Sequence, residues 1–194
     1  MPSLPYSRAA GGLVLVDREL HFFGGIDYYQ KSDTSNHWVF NIDNGVGWSS
    51  RAALPNPRNH FGYTELGGKI YAVGGQHVLG QRHSNLSDVH VYDLLSNTWT
   101  KVASLPIPTS HIHTSTFVRN GKIDIIGGLT NGTSYAKGLA NVTEYDPKSN
   151  KWVALPAIPD ARKAPAAKLI NNQIIVSGGD RSGPKTTTWI GVPK

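Results

Sequence analysis

Short apolar runs, broken by glycine pairs and polar turns, set the rhythm of this chain. Between residues 60 and 103 the runs HFGYTEL and KIYAVGG flank the turn Gly67-Gly68, a polar loop follows, and DVHVYD and NTWTKVA come next. Runs of this length bounded by turn residues read as strands, and the first two read as a tight hairpin. The same order appears earlier as AGGLVLV, ELHFFGG, HWVFNID and VGWSSRA, and later as STFVRN, KIDIIGG, NVTEYD and KWVAL. No segment of useful length has helical periodicity. The pattern predicts an all-β chain made of four-stranded units.

The units are copies of one another. LHFFGG, IYAVGG, IDIIGG and IIVSGG place glycine pairs at Gly24-Gly25, Gly74-Gly75, Gly127-Gly128 and Gly178-Gly179. Trp48, Trp99 and Trp152 follow the first three, and Leu-Pro pairs recur at Leu4, Leu54, Leu105 and Leu155. Asp43, Asp93 and Asp146 each fall nineteen residues after the first glycine of their unit. A period near fifty residues matches one blade of a propeller. The chain thus reads as one domain, 1–194, with repeats of about 4–53, 54–104, 105–154 and 155–194. In the last repeat Trp189 comes eleven residues after Gly178, against twenty-four or twenty-five elsewhere, so a strand is lost or a loop shortened and the last blade is expected to be incomplete. MPSLP does not read as a strand that closes the ring. Either a four-bladed ring or the carboxyl-terminal part of a larger one fits, and an open arc would expose end faces prone to self-association.

These repeats resemble the kelch family of β-propellers, in which a double glycine ends the second strand and a Tyr and a Trp follow at set spacing. Tyr92 precedes Trp99 by seven residues and Tyr145 precedes Trp152 by seven, whereas the first repeat has Ile42 where tyrosine is expected. The resemblance covers nearly the whole chain. It implies a kelch-type propeller of about four blades of antiparallel strands. It leaves function open, because propellers carry many unrelated activities. Copper radical oxidases resembling galactose oxidase share this fold but need a tyrosine cross-linked to cysteine. Propellers similar to sialic acid epimerases need only polar groups at the channel.

Composition narrows the chemistry. The chain has no cysteine, which excludes disulfides, thiolate zinc sites, a cysteine nucleophile and the copper radical chemistry. Charged residues are 16% of the sequence, and the net charge of +6 reflects a shortage of Asp and Glu rather than basic runs, so no specific nucleic-acid partner is expected. No twenty-residue apolar run could span a membrane. MPSLPYSRAAGG lacks the features of a signal peptide, while the wealth of Gly, Ser, Thr and Asn leans towards a secreted protein. Asn85, Asn131 and Asn141 head sequons for N-glycosylation. GxSxG, HExxH, Walker and CxxC motifs are absent from the sequence, and no cofactor is expected.

The candidate site residues come from two places. Counting back sixteen residues from each first glycine gives Arg8, Arg58, His111 and Arg162, and two residues on stand Ala10, His60, His113 and Ala164. Near the inner strands, such groups either bond to carbonyls of the adjacent blade or ring one mouth of the channel, where they would suit a carboxylate or another anion. His111 and His113 have the spacing of a strand-borne ligand pair, but their arginine company argues against a bound metal. The loops after the glycine pairs vary in length and sequence, and there Tyr28, Tyr29, Arg82, His83 and Tyr135 could meet a protein or glycan. Asp124, between Ile123 and Ile125, needs a Lys, Arg or His partner. The expected function is a non-catalytic scaffold for a protein or glycan. The alternative is an enzyme acting on an anionic sugar, similar to a sialic acid epimerase, at the Arg and His ring.

Overall fold

The computed structural model describes residues 2–27, 29–79, 82–131 and 136–191, which form strands and turns and no helix. Blade one comprises β1 (Gly12–Val16), β2 (Glu19–Phe23), β3 (Ile26–Asp27), β4 (Ser32–Asp33), β5 (His37–Asn41) and β6 (Ser49–Ser50). Blade two comprises β7 (Gly62–Leu66), β8 (Lys69–Val73), β9 (Gln76–Leu79), β10 (Arg82–Asn85), β11 (Val89–Asp93) and β12 (Thr98–Val102). Blade three comprises β13 (Thr116–Arg119), β14 (Lys122–Ile126), β15 (Leu129–Asn131), β16 (Ala136–Gly138), β17 (Val142–Asp146) and β18 (Lys151–Leu155). Blade four holds β19 (Ala166–Ile170), β20 (Gln173–Ser177) and β21 (Thr188–Gly191).

Antiparallel sheets run β1-β2-β5-β6, β7-β8-β11-β12 and β13-β14-β17-β18, and the described residues of blade four form β19-β20-β21. The expected all-β, four-bladed propeller is the observed fold, with three strands of the last blade among the described residues. Between the second and third main strands of blades one to three the chain forms extra hairpins, β3–β4, β9–β10 and β15–β16, where the sequence suggested only polar loops.

The core lies between blades. Val14, Val16, Phe23 and Leu54 pack with Phe61, Ile70, Ala72 and Tyr92 between blades one and two. Tyr71, Val73, Val89, Ile112, Ile123 and Tyr145 fill the next gap, and Phe117, Ile126, Val142, Ala167 and Val176 the third. Inner strands pack in the order β1 on β7, β7 on β13 and β13 on β19. At the two ends, Leu13 and Leu15 on β1 are 48% and 51% exposed, and Ile170 and Ile190 in blade four 49% and 63%. Blades one and four share no core cluster among the described residues.

Each repeat marker has a physical task. Gly75 has φ of +105°, and a Cβ there would stand 2.9 Å from the Asn59 carbonyl oxygen, so only glycine lets the linker pass this close. The aromatic pair locks a blade to the linker before it. Asn97 Oδ1 accepts from the Tyr92 hydroxyl at 2.8 Å and from the Ala52 amide at 2.9 Å, while the Trp99 indole donates to the Ala52 carbonyl at 2.9 Å. Blade three repeats this with Asn150, Tyr145, Trp152 and Ala103. Both asparagines have positive φ, a conformation asparagine tolerates better than most residues.

Strand register corrects three expectations drawn from counting. Asn41 pairs with Glu19 as Asp93 pairs with Lys69, and Asn41 Oδ1 accepts from the Asp43 and Asn44 amides. Asn41, not Asp43, therefore caps the turn in blade one. Phe40, not Ile42, holds the tyrosine position and packs tilted against Trp48 at 5.6 Å between ring centroids. Trp189 pairs with Val176 as Trp38 pairs with Phe22, so it is a third-strand residue and not a displaced fourth-strand tryptophan. In the last repeat, Ile158 occupies the linker position of Leu54 and Leu105: its amide bonds the Ala140 carbonyl just as theirs bond Ser35 and Ser87.

Candidate functional site

The linkers that enter each blade build the site. Ala9, Asn59, Ser110 and Lys163 each make an antiparallel bridge to Ile26, Gln76, Leu129 and Asp180 just after a glycine pair. The next residues, Ala10, His60, His111 and Ala164, all have positive φ, between 47° and 57°. Their backbones are joined in sequence around the axis: the His60 amide donates to the Ala10 carbonyl at 3.1 Å, His111 to His60 at 2.7 Å, and Ala164 to His111 at 3.1 Å.

This register divides the expected columns differently. The position of Arg8, Arg58 and Arg162 is filled in blade three by Thr109, because the amides of Gly25, Gly75 and Gly128 donate to Arg58, Thr109 and Arg162. His111 therefore belongs with His60. His113 stands in a turn that precedes β13, where blade three carries two extra residues between its bridge and its glycines.

The arginines lie inside the protein and apart from the histidines. Arg58 is 0% exposed, and its Nη2 donates to the Ala72 carbonyl at 3.1 Å and to His90 Nδ1 at 3.2 Å. Burial pulls its guanidinium down to about 10, against the opposing pull of Asp88. Arg162 lies 4.5 Å over the Trp189 ring and donates to Asp160 and Thr187. Arg8 covers Trp38 at 5.4 Å and donates to Asp27 and Asn36. In each of these blades the arginine meets the third-strand residue that stands at one register position, Trp38, His90 or Trp189. The arginines thus bond within their own blades, rather than to carbonyls of the adjacent blade.

The histidines do come together. His60 and His111 stack with ring centroids 4.3 Å apart, and His113 meets His60 edge-on at 6.3 Å. His111 is lowered to about 3 by burial first and then by the charges of His60, Lys163, His113 and His83. His60 is lowered by burial, His113, His83 and Lys163, with Asp33 pulling the other way, and His113 is lowered by burial. Among the described residues, no group of three or more His, Cys, Asp or Glu side chains is arranged to hold a metal. Beneath this mouth runs an open axial cleft of about 690 Å³, lined by inner strands of all four blades and including Leu13, Tyr63, His113, Thr116 and Ile170.

Around the mouth the extra hairpins lie side by side and are tied together. Asp33 of β4 accepts from Asn59, from the Val78 amide at 2.8 Å and from His77 at 3.3 Å, joining blade one to blade two. Asn85 of β10 donates to the Leu129 carbonyl of β15 at 2.8 Å, joining blade two to blade three and committing the side chain of that sequon. Ser110 donates to Gln76, and Gln76 meets His83. Tyr29 of the blade-one hairpin is 85% exposed, and His83 of the blade-two hairpin is exposed. Tyr28 and Tyr135 lie outside the described residues, as does the Arg82 side chain. Asp33, Asn59, Gln76, Ser110 and Lys163 were missed as site residues. Polar side chains at the bridge position of three linkers were the available signal, and counting from the glycines passed over it.

Comparison with known proteins supplies a context. A family model described as the KLHDC2/KLHL20/DRC7 Kelch-repeats domain matches residues 2–179. "Kelch repeat and BTB domain-containing protein 1" of Cowpox virus (strain Brighton Red) is 31% identical over 193 residues, which is 97% of this chain and 32% of the relative. The protein of that name in Camelpox virus (strain CMS) is 30% identical with the same coverage. "Kelch-like protein terF" of Aspergillus terreus is 29% identical over 146 residues, or 68% of this chain and 30% of the relative. The chain thus spans about a third of the length of these relatives. The solved structure titled "Structure of YjhT" superposes with a TM-score of 0.77 at 18% identity, covering 93% of this chain and 60% of that one.

Proposed function

The chain belongs to the kelch-repeat family of β-propellers, and on that premise we propose that it is a non-catalytic interaction scaffold. Its partner is a protein that binds the face formed by β3–β4, β9–β10 and β15–β16 around the axial mouth. The observation that carries this reading is the lateral tying of those hairpins by Asp33 and Asn85, which turns variable loops into one pre-organised surface. A surface ordered before binding loses less conformational entropy on association. Asp33, the carboxylate whose charge reaches His60, already accepts from three donors, which argues against its moving protons for an anionic-sugar enzyme. A glycan at the same face is the second form of the reading, with exposed Tyr29 as its stacking ring.

The test is quantitative cross-linking capture from cells expressing the chain. Lys31→Glu with Lys137→Glu reverses charge on two exposed hairpin positions, while Leu95→Asp alters a fully exposed turn at the opposite end of blade two. The hairpin variant is expected to lose the captured proteins and the Leu95 variant to keep them. Equal capture by all three chains would refute the assignment of this face.

A further inference from the structure

The axial mouth holds more capacity for positive charge than the acids around it offset. His60, His111 and His113 enter from blades two and three, and the charges of Lys163 from blade four and of His83 from β10 act on both His60 and His111. Asp33 is the acid whose charge reaches His60, and Asn59, His77 and the Val78 amide already occupy it. Lys163 has no salt bridge or side-chain hydrogen bond among the described residues, and the buried Nδ1 of His113 has no partner there either.

Hydrogen bonding fixes which nitrogen remains to titrate. Ser110 gives its hydroxyl proton to Gln76 Oε1 at 3.3 Å, so its oxygen accepts Nδ1–H of His111 at 2.9 Å. His60 Nδ1–H donates to Asn59 Oδ1, and Asn59 in turn donates to Asp33. In both neutral rings the open site is therefore Nε2, which no protein group bonds among the described residues. Protonation there turns two acceptors into donors and places two cations in a stack beside an ammonium. An anion seated between them makes that state favourable.

We propose that His60, His111, His113 and Lys163 form a proton-gated site for a carboxylate of an acidic partner segment, a refinement that rests on the scaffold reading above. Binding takes up protons, because rings neutral in the free protein become cations against the ligand. Affinity therefore rises as pH falls.

Isothermal titration with the peptide acetyl-tetraglutamate amide tests this, run near pH 5.5 and near 7.5 in buffers of differing ionisation heat. Binding about tenfold tighter at the lower pH, with net proton uptake, is the expected result. The tetraglutamine peptide should stay silent. Lys163→Gln should weaken binding, and His111→Asn, which suits the positive φ, should flatten the pH dependence while a cooperative melt shows the fold intact. Lys151→Gln, exposed at the far end of blade three, should change nothing. Equal affinity at the two pH values, or a Lys151 effect as large as the Lys163 effect, would overturn the proposal. So would inorganic phosphate binding where tetraglutamate does not, since the site would then read a small oxyanion. Peptide silence with hairpin-dependent capture intact removes this site alone, whereas loss of both removes the scaffold reading.

Discussion

His21 and His37 share a bond inside blade one, Nδ1 of the first 2.9 Å from Nε2 of the second, where neither ring meets solvent. Burial lowers His21 to about 4 and His37 to about 3, and it lowers His90 to about 4 and His111 to about 3. Each group has a lower pKa folded than unfolded, so the unfolded chain binds more protons in acid. Stability is fully present above the unfolded value of about 6.5 and drains away as pH falls through 4 to 3, at about 1.4 kcal/mol for each pKa unit of difference. Urea midpoints measured across that range should decline steeply, and His90→Gln should make the decline shallower. Asp124 shows the opposite device, a carboxylate with 0% exposure whose burial raises its pKa while Arg119 Nε, at 2.5 Å, pulls it back. Arg119 also holds Glu144 at 2.8 Å, and Lys122 meets Glu144 at 2.7 Å. Arg119→Met should cost about 3 to 5 kcal/mol by stranding that acid, and adding Asp124→Leu should recover part of the loss in the same denaturation assay. The need for this partner was legible from a carboxylate flanked by isoleucines. Its identity was not, because Arg119 lies five residues away across a hairpin whose register only the ladder defines.

At the level of strands and linkers, the Tyr-Asn-Trp lock joins blades two and three to the segments before them. Asn150→Ala removes the acceptor for both the Tyr145 hydroxyl and the Ala103 amide, so it should lower stability by about 2 kcal/mol without changing the far-ultraviolet spectrum, as thermal melts would reveal. The glycine pairs and tryptophans exposed the repeat because few residues satisfy positive φ or fill an inter-blade gap. Counting between those markers failed where insertions cancel. In blade one the second-to-third-strand loop is two residues shorter than in blade two, and Asn41 stands one residue farther from Trp48 than Asp93 from Trp99, so Trp48 keeps nearly its expected spacing while Phe40 and Asn41 slip. In blade three the extra turn before β13 separates His113 from the column to which spacing had assigned it. The hairpin pairing that builds the candidate face had no sequence signal beyond polarity, since its strands are two to four residues long.

For the molecule as a whole, the prediction concerns the end faces. Leu13 and Leu15 at one end and Ile170 and Ile190 at the other are exposed apolar groups without a neighbouring blade among the described residues. Light scattering of purified chain should show mass rising with concentration, and Leu15→Lys with Ile190→Lys should return it to the monomer value. A concentration-independent monomer would count against association through these faces. The bonds that run from Ala10 to His60 to His111 to Ala164 carry a quieter implication. Every one points the same way, amide of the later repeat to carbonyl of the earlier, so each joint has an identical donor side and acceptor side. Duplicating or deleting a whole fifty-residue unit leaves all remaining joints mated, and length can drift by entire blades while the axis keeps its stitching.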